Sequence, residues 1–161
     1  MGCSVITVSG TPLSGKTTVA RKLCAELGFE YVSPTAFYSR NGRLQKGKVV
    51  VDHIYAATAC CRDNIDAFHV FLEAPAGIRA RRLMERDRMG GDIGAVEEFL
   101  LEKEEKEFEI GKSMYKCDYR YPCFYNVSRD TGKLDVGKEM ALILRAYNLR
   151  CRPARAAAEV Y

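Results

Sequence analysis

The chain has 161 residues, 47% of them hydrophobic and 29% charged, with a formal net charge of +4. That composition excludes a disordered chain and fits one domain with a real core, while so mild a positive excess selects no partner by charge alone. No run approaches the roughly 18 apolar residues of a membrane span, and Met1-Gly2-Cys3 leads into a strand rather than a signal peptide, so no membrane partner and a cytoplasmic location are expected.

Ser4-Val5-Ile6-Thr7-Val8 has the near-continuous, β-branched apolarity of a buried parallel strand. It is followed by Gly10, Thr11, Pro12, Leu13, Ser14, Gly15, Lys16, Thr17 and Thr18, which contain Gly-x-x-x-x-Gly-Lys-Thr. This is a phosphate-binding loop in the context it needs, between a strand and a helix. The glycines let consecutive N–H groups converge on phosphate oxygens, Lys16 reaches the β- and γ-phosphates, and the Thr17 hydroxyl ligates Mg²⁺. Val19 to Leu27 has helical spacing and is closed by Gly28.

Gly28-Phe29-Glu30-Tyr31-Val32 reads as a short strand, and Ser33-Pro34-Thr35 starts a short helix broken by Asn41-Gly42-Arg43. Lys48-Val49-Val50-Val51-Asp52 is a buried strand ending in an acid. Asp52 suits the carboxylate that holds Mg²⁺ in such sites, and equally an N-cap for a helix beginning at His53; the two roles are compatible. Ile54 to Cys61 reads as helix, Ala67 to Glu73 as strand, and Ala74-Pro75 opens a helix to about Met89.

That helix carries Arg79, Arg81, Arg82, Arg86 and Arg88. Arg79, Arg82 and Arg86 share a face, while Ile78 and Leu83 turn toward the core. A solvated face balanced by Glu85 and Asp87 is the bland alternative. Because the helix runs into the flexible Gly90-Gly91 joint, the spacing favours a closing flap whose Arg82 and Arg86 stabilise a phosphoryl group in transfer. A Glu-rich helix from Ala95 to Ile110 follows, whose acids could clamp those arginines. Then come a Tyr-rich segment, a last strand near Phe124 to Val127, and a helix from Leu134 to about Tyr147. Residues 149–161 form a basic, Ala-rich tail interrupted by Pro153.

The alternation of strand and helix predicts an α/β fold: a doubly wound, five-stranded parallel sheet of P-loop kinase type, with ligand at the carboxyl ends of the strands. Seven cysteines, at 3, 24, 60, 61, 117, 123 and 151, with only His53 and His69 beside them, lack zinc-ribbon spacing and predict reduced, mostly buried thiols.

Over residues 4–147 the chain resembles the cytidylate kinase-like branch of the nucleoside monophosphate kinases. The resemblance is carried by Ile6 through Thr18, Gly28 through Ser33, Phe71-Leu72-Glu73-Ala74-Pro75 with Ile78 through Leu83, and Tyr115 through Tyr119. It implies ATP- and Mg²⁺-dependent phosphoryl transfer to a nucleoside monophosphate, CMP or dCMP first. It also implies a kinase domain over 1–148, a short acceptor-binding segment over 33–47 and a small arginine-bearing helical lid over 79–111.

Two departures stand out. Asp52-His53 replaces the family's Gly-Arg, and Lys103-Glu104 and Ile110-Gly111 stand where the lid carries Arg-Glu and Arg-Tyr. Ser33, Arg40, Arg43 and His53 are the candidate acceptor residues, with Arg40 and Arg43 supplying cations. An acid near the second strand would suit a small-alcohol kinase of the shikimate type, and Tyr31 to Thr35 has none. An ATP-binding regulatory protein with this fold is the alternative from another class. No nucleic-acid module is recognisable.

Overall fold

The computed structural model describes residues 3–39, 47–133 and 135–151. Its sheet is built of β1 (Val5–Gly10), β2 (Glu30–Val32), β3 (Val49–Asp52), β4 (Ala67–Glu73) and β5 (Val127–Asp130), in the order β2-β3-β1-β4-β5. All four neighbouring pairs are parallel. The predicted doubly wound sheet is present.

Six helices cover it: α1 (Lys16–Leu27), α2 (Pro34–Ser39), α3 (Ala56–Arg62), α4 (Ala76–Asp87), α5 (Ile93–Tyr115) and α6 (Val136–Cys151). The pleat of β1 divides the core. Ile6 and Val8 join Leu23 of α1, Val70 and Leu72 of β4, and Ile143 and Tyr147 of α6 in one apolar cluster. Val5 joins Val51, Phe37, Ala59 and Cys60 on the other face. Thr7 is fully buried and meets Nδ1 of His69 at 2.7 Å, so burial of this polar pair carries its own hydrogen bond.

Element boundaries move for identifiable reasons. β1 runs on to Gly10, because Ser9 and Gly10 pair with Phe71 and Leu72. The last strand is Val127–Asp130, later than its apolar residues suggest. Asn126 clamps His69 in both directions, its N–H donating to the His69 carbonyl at 2.9 Å and its Oδ1 accepting the His69 N–H at 2.7 Å, while Pro122–Phe124 coil into a 3₁₀ turn. α5 is capped by the Asp92 carboxylate, which accepts from Gly94 and Ala95, and it continues five residues past Ile110. It does so through Gly111, where a Cβ would lie 2.5 Å from Cε1 of Tyr55. What looks like a helix stop is a point of close approach.

The expectation of reduced thiols is corrected at one pair. Cys3, at the start of β1, is joined to Cys151, the last residue of α6, across 148 positions of sequence, and both are buried. Such separation leaves no spacing signal, and in the chain-entropy account a loop of that length stabilises the fold by about 5 kcal/mol. Cys24, Cys60, Cys61, Cys117 and Cys123 are free, and no group of three or more His, Cys, Asp or Glu could hold a metal among the described residues. α6 absorbs 149–151 of the expected tail; 152–161 lie outside the described residues. No helix among those described is long and apolar enough to cross a membrane.

Candidate active site

The phosphate loop leaves the carboxyl end of β1 at the centre of the sheet, with β3 and β4 on either side. Gly10 has φ 144°, and the Thr11 N–H donates to the Leu72 carbonyl at 3.0 Å, tying the loop's first turn to β4. Gly15, at φ 93°, turns the chain into α1. Lys16 folds back over this loop and donates from Nζ to the Thr11 carbonyl at 2.7 Å and the Gly10 carbonyl at 3.1 Å. Burial lowers its pKa to about 8, against the opposing pull of Asp52 and Glu107. Thr11 Oγ1 and Ser14 Oγ are buried and have no hydrogen-bond partner among the described residues. Those orphaned hydroxyls, the lysine and the cradle of loop N–H groups fit a polyphosphate.

A cavity of about 310 Å³ opens here, lined by Leu13, Gly15, Lys16, Thr17, Thr18, Arg82 and Arg86. The loop and both lid arginines of the sequence reading therefore meet in one place. At its edge the Thr17 hydroxyl donates to Oδ2 of Asp52 at 2.6 Å, and the Tyr31 hydroxyl donates to the same oxygen at 2.8 Å. Asp52 is 1% exposed. Burial first, and then the Asp52 carboxylate, raise the Tyr31 pKa, which keeps its hydroxyl a donor. One hydroxyl and one carboxylate in contact are the hard-oxygen donor set that suits Mg²⁺. Asp52 does not cap a helix: His53 to Tyr55 form a turn, and α3 begins at Ala56.

The arginines of α4 divide. Arg79 is 4% exposed, pairs with Glu104 of α5 at 2.9 Å and reaches the Pro12 carbonyl at 3.5 Å. The opposite-charge clamp between the two helices is thus present at this position. Arg82 donates to the Leu13 carbonyl at 3.1 Å, to Thr131 Oγ1 at 3.0 Å and to the Thr131 carbonyl at 2.7 Å, while Thr131 Oγ1 donates to the Ser14 carbonyl at 2.8 Å. Arg86 remains 61% exposed and pairs with Asp87, its sequence neighbour.

The acceptor candidates are less convergent. The Ser33 hydroxyl accepts the Ala36 N–H at 3.2 Å and so opens α2. Arg40 and Arg43 lie outside the described residues. His53 is 3% exposed, stacked on Phe37 at 4.3 Å between ring centroids, with the ring of Tyr38 edge-on at 4.6 Å. Its Nδ1 accepts the Tyr55 N–H at 3.1 Å, and burial lowers its pKa to about 4. At neutral pH it is uncharged and supplies no cation. Tyr31, Thr131 and Glu107 were not foreseen. Glu107, whose backbone carbonyl accepts from the Tyr55 hydroxyl, lies within electrostatic reach of Lys16, and burial raises its pKa.

No protein-family model matches the chain. It is 27% identical to the cytidylate kinase of Ignicoccus hospitalis, across 71% of this chain and 82% of that enzyme. It is 26% identical to the cytidylate kinase of Pyrococcus furiosus, across 90% and 88%. Among solved structures, an uncharacterized protein from Eubacterium ventriosum superposes with a TM-score of 0.74 at 17% identity, over 91% of this chain and 99% of that one. The deoxyadenosine kinase of M. mycoides with bound dCTP follows at 0.54 and 18%, over 90% and 99%. The chain has the fold of the P-loop kinases and resembles the cytidylate kinases in sequence. Its phosphate loop stands where β1 gives way to α1, and the five described strands form a wholly parallel sheet.

Proposed function

We propose that this kinase transfers the γ-phosphoryl group of ATP to a nucleoside monophosphate, CMP or dCMP first. The observation that carries the reading is the contact of Thr17 with Asp52 beside Lys16, at the carboxyl ends of β1 and β3. Thr17 and Asp52 would hold Mg²⁺, which when bound withdraws charge from the phosphate oxygens. Lys16 leaves the loop carbonyls and donates to the phosphates, Arg82 and Arg86 approach from α4, and the loop amides orient the polyphosphate. The end of β2 supports a phosphate acceptor, since Val32 leads to a serine engaged in opening α2 and not to a carboxylate that could deprotonate an alcohol. The cytidylate kinase relatives favour a pyrimidine nucleotide.

A second reading, transfer to a hydroxyl, is favoured by Glu107, a carboxylate with raised pKa within reach of Lys16. One assay separates them: ADP release with ATP and Mg²⁺, against CMP, dCMP, UMP, AMP and GMP and against deoxyadenosine, shikimate and gluconate. Release that depends on CMP or dCMP is expected. Release that depends on an alcohol alone overturns the phosphate-acceptor reading, and ATP binding without acceptor-dependent release leaves an ATP-binding regulatory protein.

The lysine also sets a pH dependence. Its pKa is lowered in the free protein and must rise once phosphates surround it, so charged Lys16 favours ATP binding and deprotonation opposes it. ATP affinity is therefore expected to be flat below the Lys16 pKa of about 8 and to weaken above it. The loss should be about tenfold between pH 7 and 9 by proton linkage, read by calorimetry at constant ionic strength. Unchanged affinity across that range would remove Lys16 from the phosphate contact.

A further inference from the structure

One residue of the phosphate loop adopts a conformation its own backbone disfavours. Leu13 has φ 61°, in the left-handed region that a residue with a branched side chain occupies only when its surroundings hold it there. Its side chain is held in the apolar cluster of Ala80, Leu83 and Leu100, where α4 and α5 meet. Its carbonyl is held by Arg82. Leu13, with Arg86, also lines two cavities, the phosphate site and a larger one of about 580 Å³ between α4 and α5 that reaches Phe99 and Lys103.

The far side of that contact leads along α5 to groups that act on Lys16. Leu100 precedes Lys103, Glu104 and Glu107 by one to two helical turns. Glu104 is paired with Arg79, and Lys103 and Glu107 both act electrostatically on Lys16. Resting on the reading of the loop as the ATP site, we infer that Leu13 is a positioning residue that couples nucleotide occupancy of the loop to the placement of α5. Phosphate oxygens seated on the loop N–H groups fix the loop dihedral angles, that of Leu13 among them. The leucine side chain passes that constraint to Leu100, and the helix carries it to Lys103, Glu104 and Glu107. A glycine at this position would accept the same φ without strain and would pass nothing on.

The test is hydrogen exchange of residues 93–107 in the full chain, with and without ATP and Mg²⁺, alongside calorimetric ATP affinity, in the parent, Leu13→Gly, Leu100→Ala and the double variant. In the parent, ATP is expected to slow exchange in this segment about tenfold or more. In Leu13→Gly, at ATP concentrations that saturate the variant, the slowing should fall below about twofold. Leu100→Ala should give the same loss, and the double variant no more than either alone.

Persistence of the slowing in Leu13→Gly, its absence in the parent, or independent addition of the two losses overturns the inference. So does a failure to saturate Leu13→Gly with ATP, which would confine the role of Leu13 to the nucleotide contact itself. If Leu13→Gly does not fold, Leu13→Ala, which keeps the Cβ and removes the packing, is read the same way. A parent that binds no ATP sinks the donor-site reading as well, whereas ATP binding with an unresponsive α5 sinks this inference alone.

Discussion

Lys16→Ala is expected to lower phosphoryl transfer by about 10²–10³-fold, the usual consequence of deleting one preorganised group aimed at charge developing in the transition state. Lys16 donates to two loop carbonyls in the free protein, so its ammonium is already within the cradle before phosphate arrives. It loses two neutral acceptors and gains anionic ones, an exchange that favours the bound state. The effect should fall on turnover more than on thermal stability, because the lysine is a poor structural group. Its burial costs it enough to lower its pKa to about 8. Lys16→Arg is not expected to restore the rate, since a planar guanidinium cannot follow the path of an ammonium beneath the loop. The measurement is single-turnover ADP formation with the preferred acceptor, beside melting curves of both variants. A Lys16→Ala protein with more than about a tenth of parental turnover would place the transfer chemistry elsewhere.

Gly10→Ala is expected to be the most damaging small substitution in the molecule. A Cβ at that position would lie 1.8 Å from the Leu72 carbonyl oxygen and under 3 Å from two more backbone atoms of the same residue. The obstruction is the backbone of β4, a buried strand paired with β1 on one side and β5 on the other, and it has nowhere to move. The dihedral angle adds its own strain at φ 144°. A loss above about 4 kcal/mol is expected, seen as a fall in Tm of about 10 °C or more, or as failure to fold.

Gly15→Ala is the informative control. Gly15 also has positive φ, at 93°, yet a Cβ there would meet nothing within 4 Å, so its cost is conformational alone, about 1–2 kcal/mol. If the two variants melted together, close approach of the strands would not be what demands glycine at position 10.

Elements whose residues speak for themselves were legible before any coordinates. Four of the strands' apolar runs, the loop between Gly10 and Thr18, and the acid after three valines each carry a local signal and fall as expected, whereas the fifth run, Phe124 to Val127, meets β5 only at Val127. Boundaries were less legible where one residue's partner lies far along the chain. Asn126 belongs to the entry of β5 because of His69, and Gly111 lies inside α5 because of Tyr55. The site was legible in its phosphate half for the same reason: Lys16 and Thr17 announce themselves by spacing. Tyr31 and Thr131 do not, since a tyrosine on a short strand and a threonine after a strand are common, and only the folded chain brings them to Asp52 and Arg82. His53 could be recognised as a substitute for an arginine, but its burial among Phe37, Tyr38 and Tyr55 could not.

The bond between Cys3 and Cys151 brings their Cα atoms to 5.1 Å and makes the intervening chain a closed ring, with the start of the central strand as one side of the clasp. At the other end of that strand is Gly10, the first residue of the phosphate loop. A pull applied to the two ends of the ring passes from one sulfur to the other and is never transmitted along β1. With the clasp opened, the same pull would run down β1 toward the phosphate loop. The pairing thus keeps tension between the chain's two ends off the strand that leads into the phosphate loop.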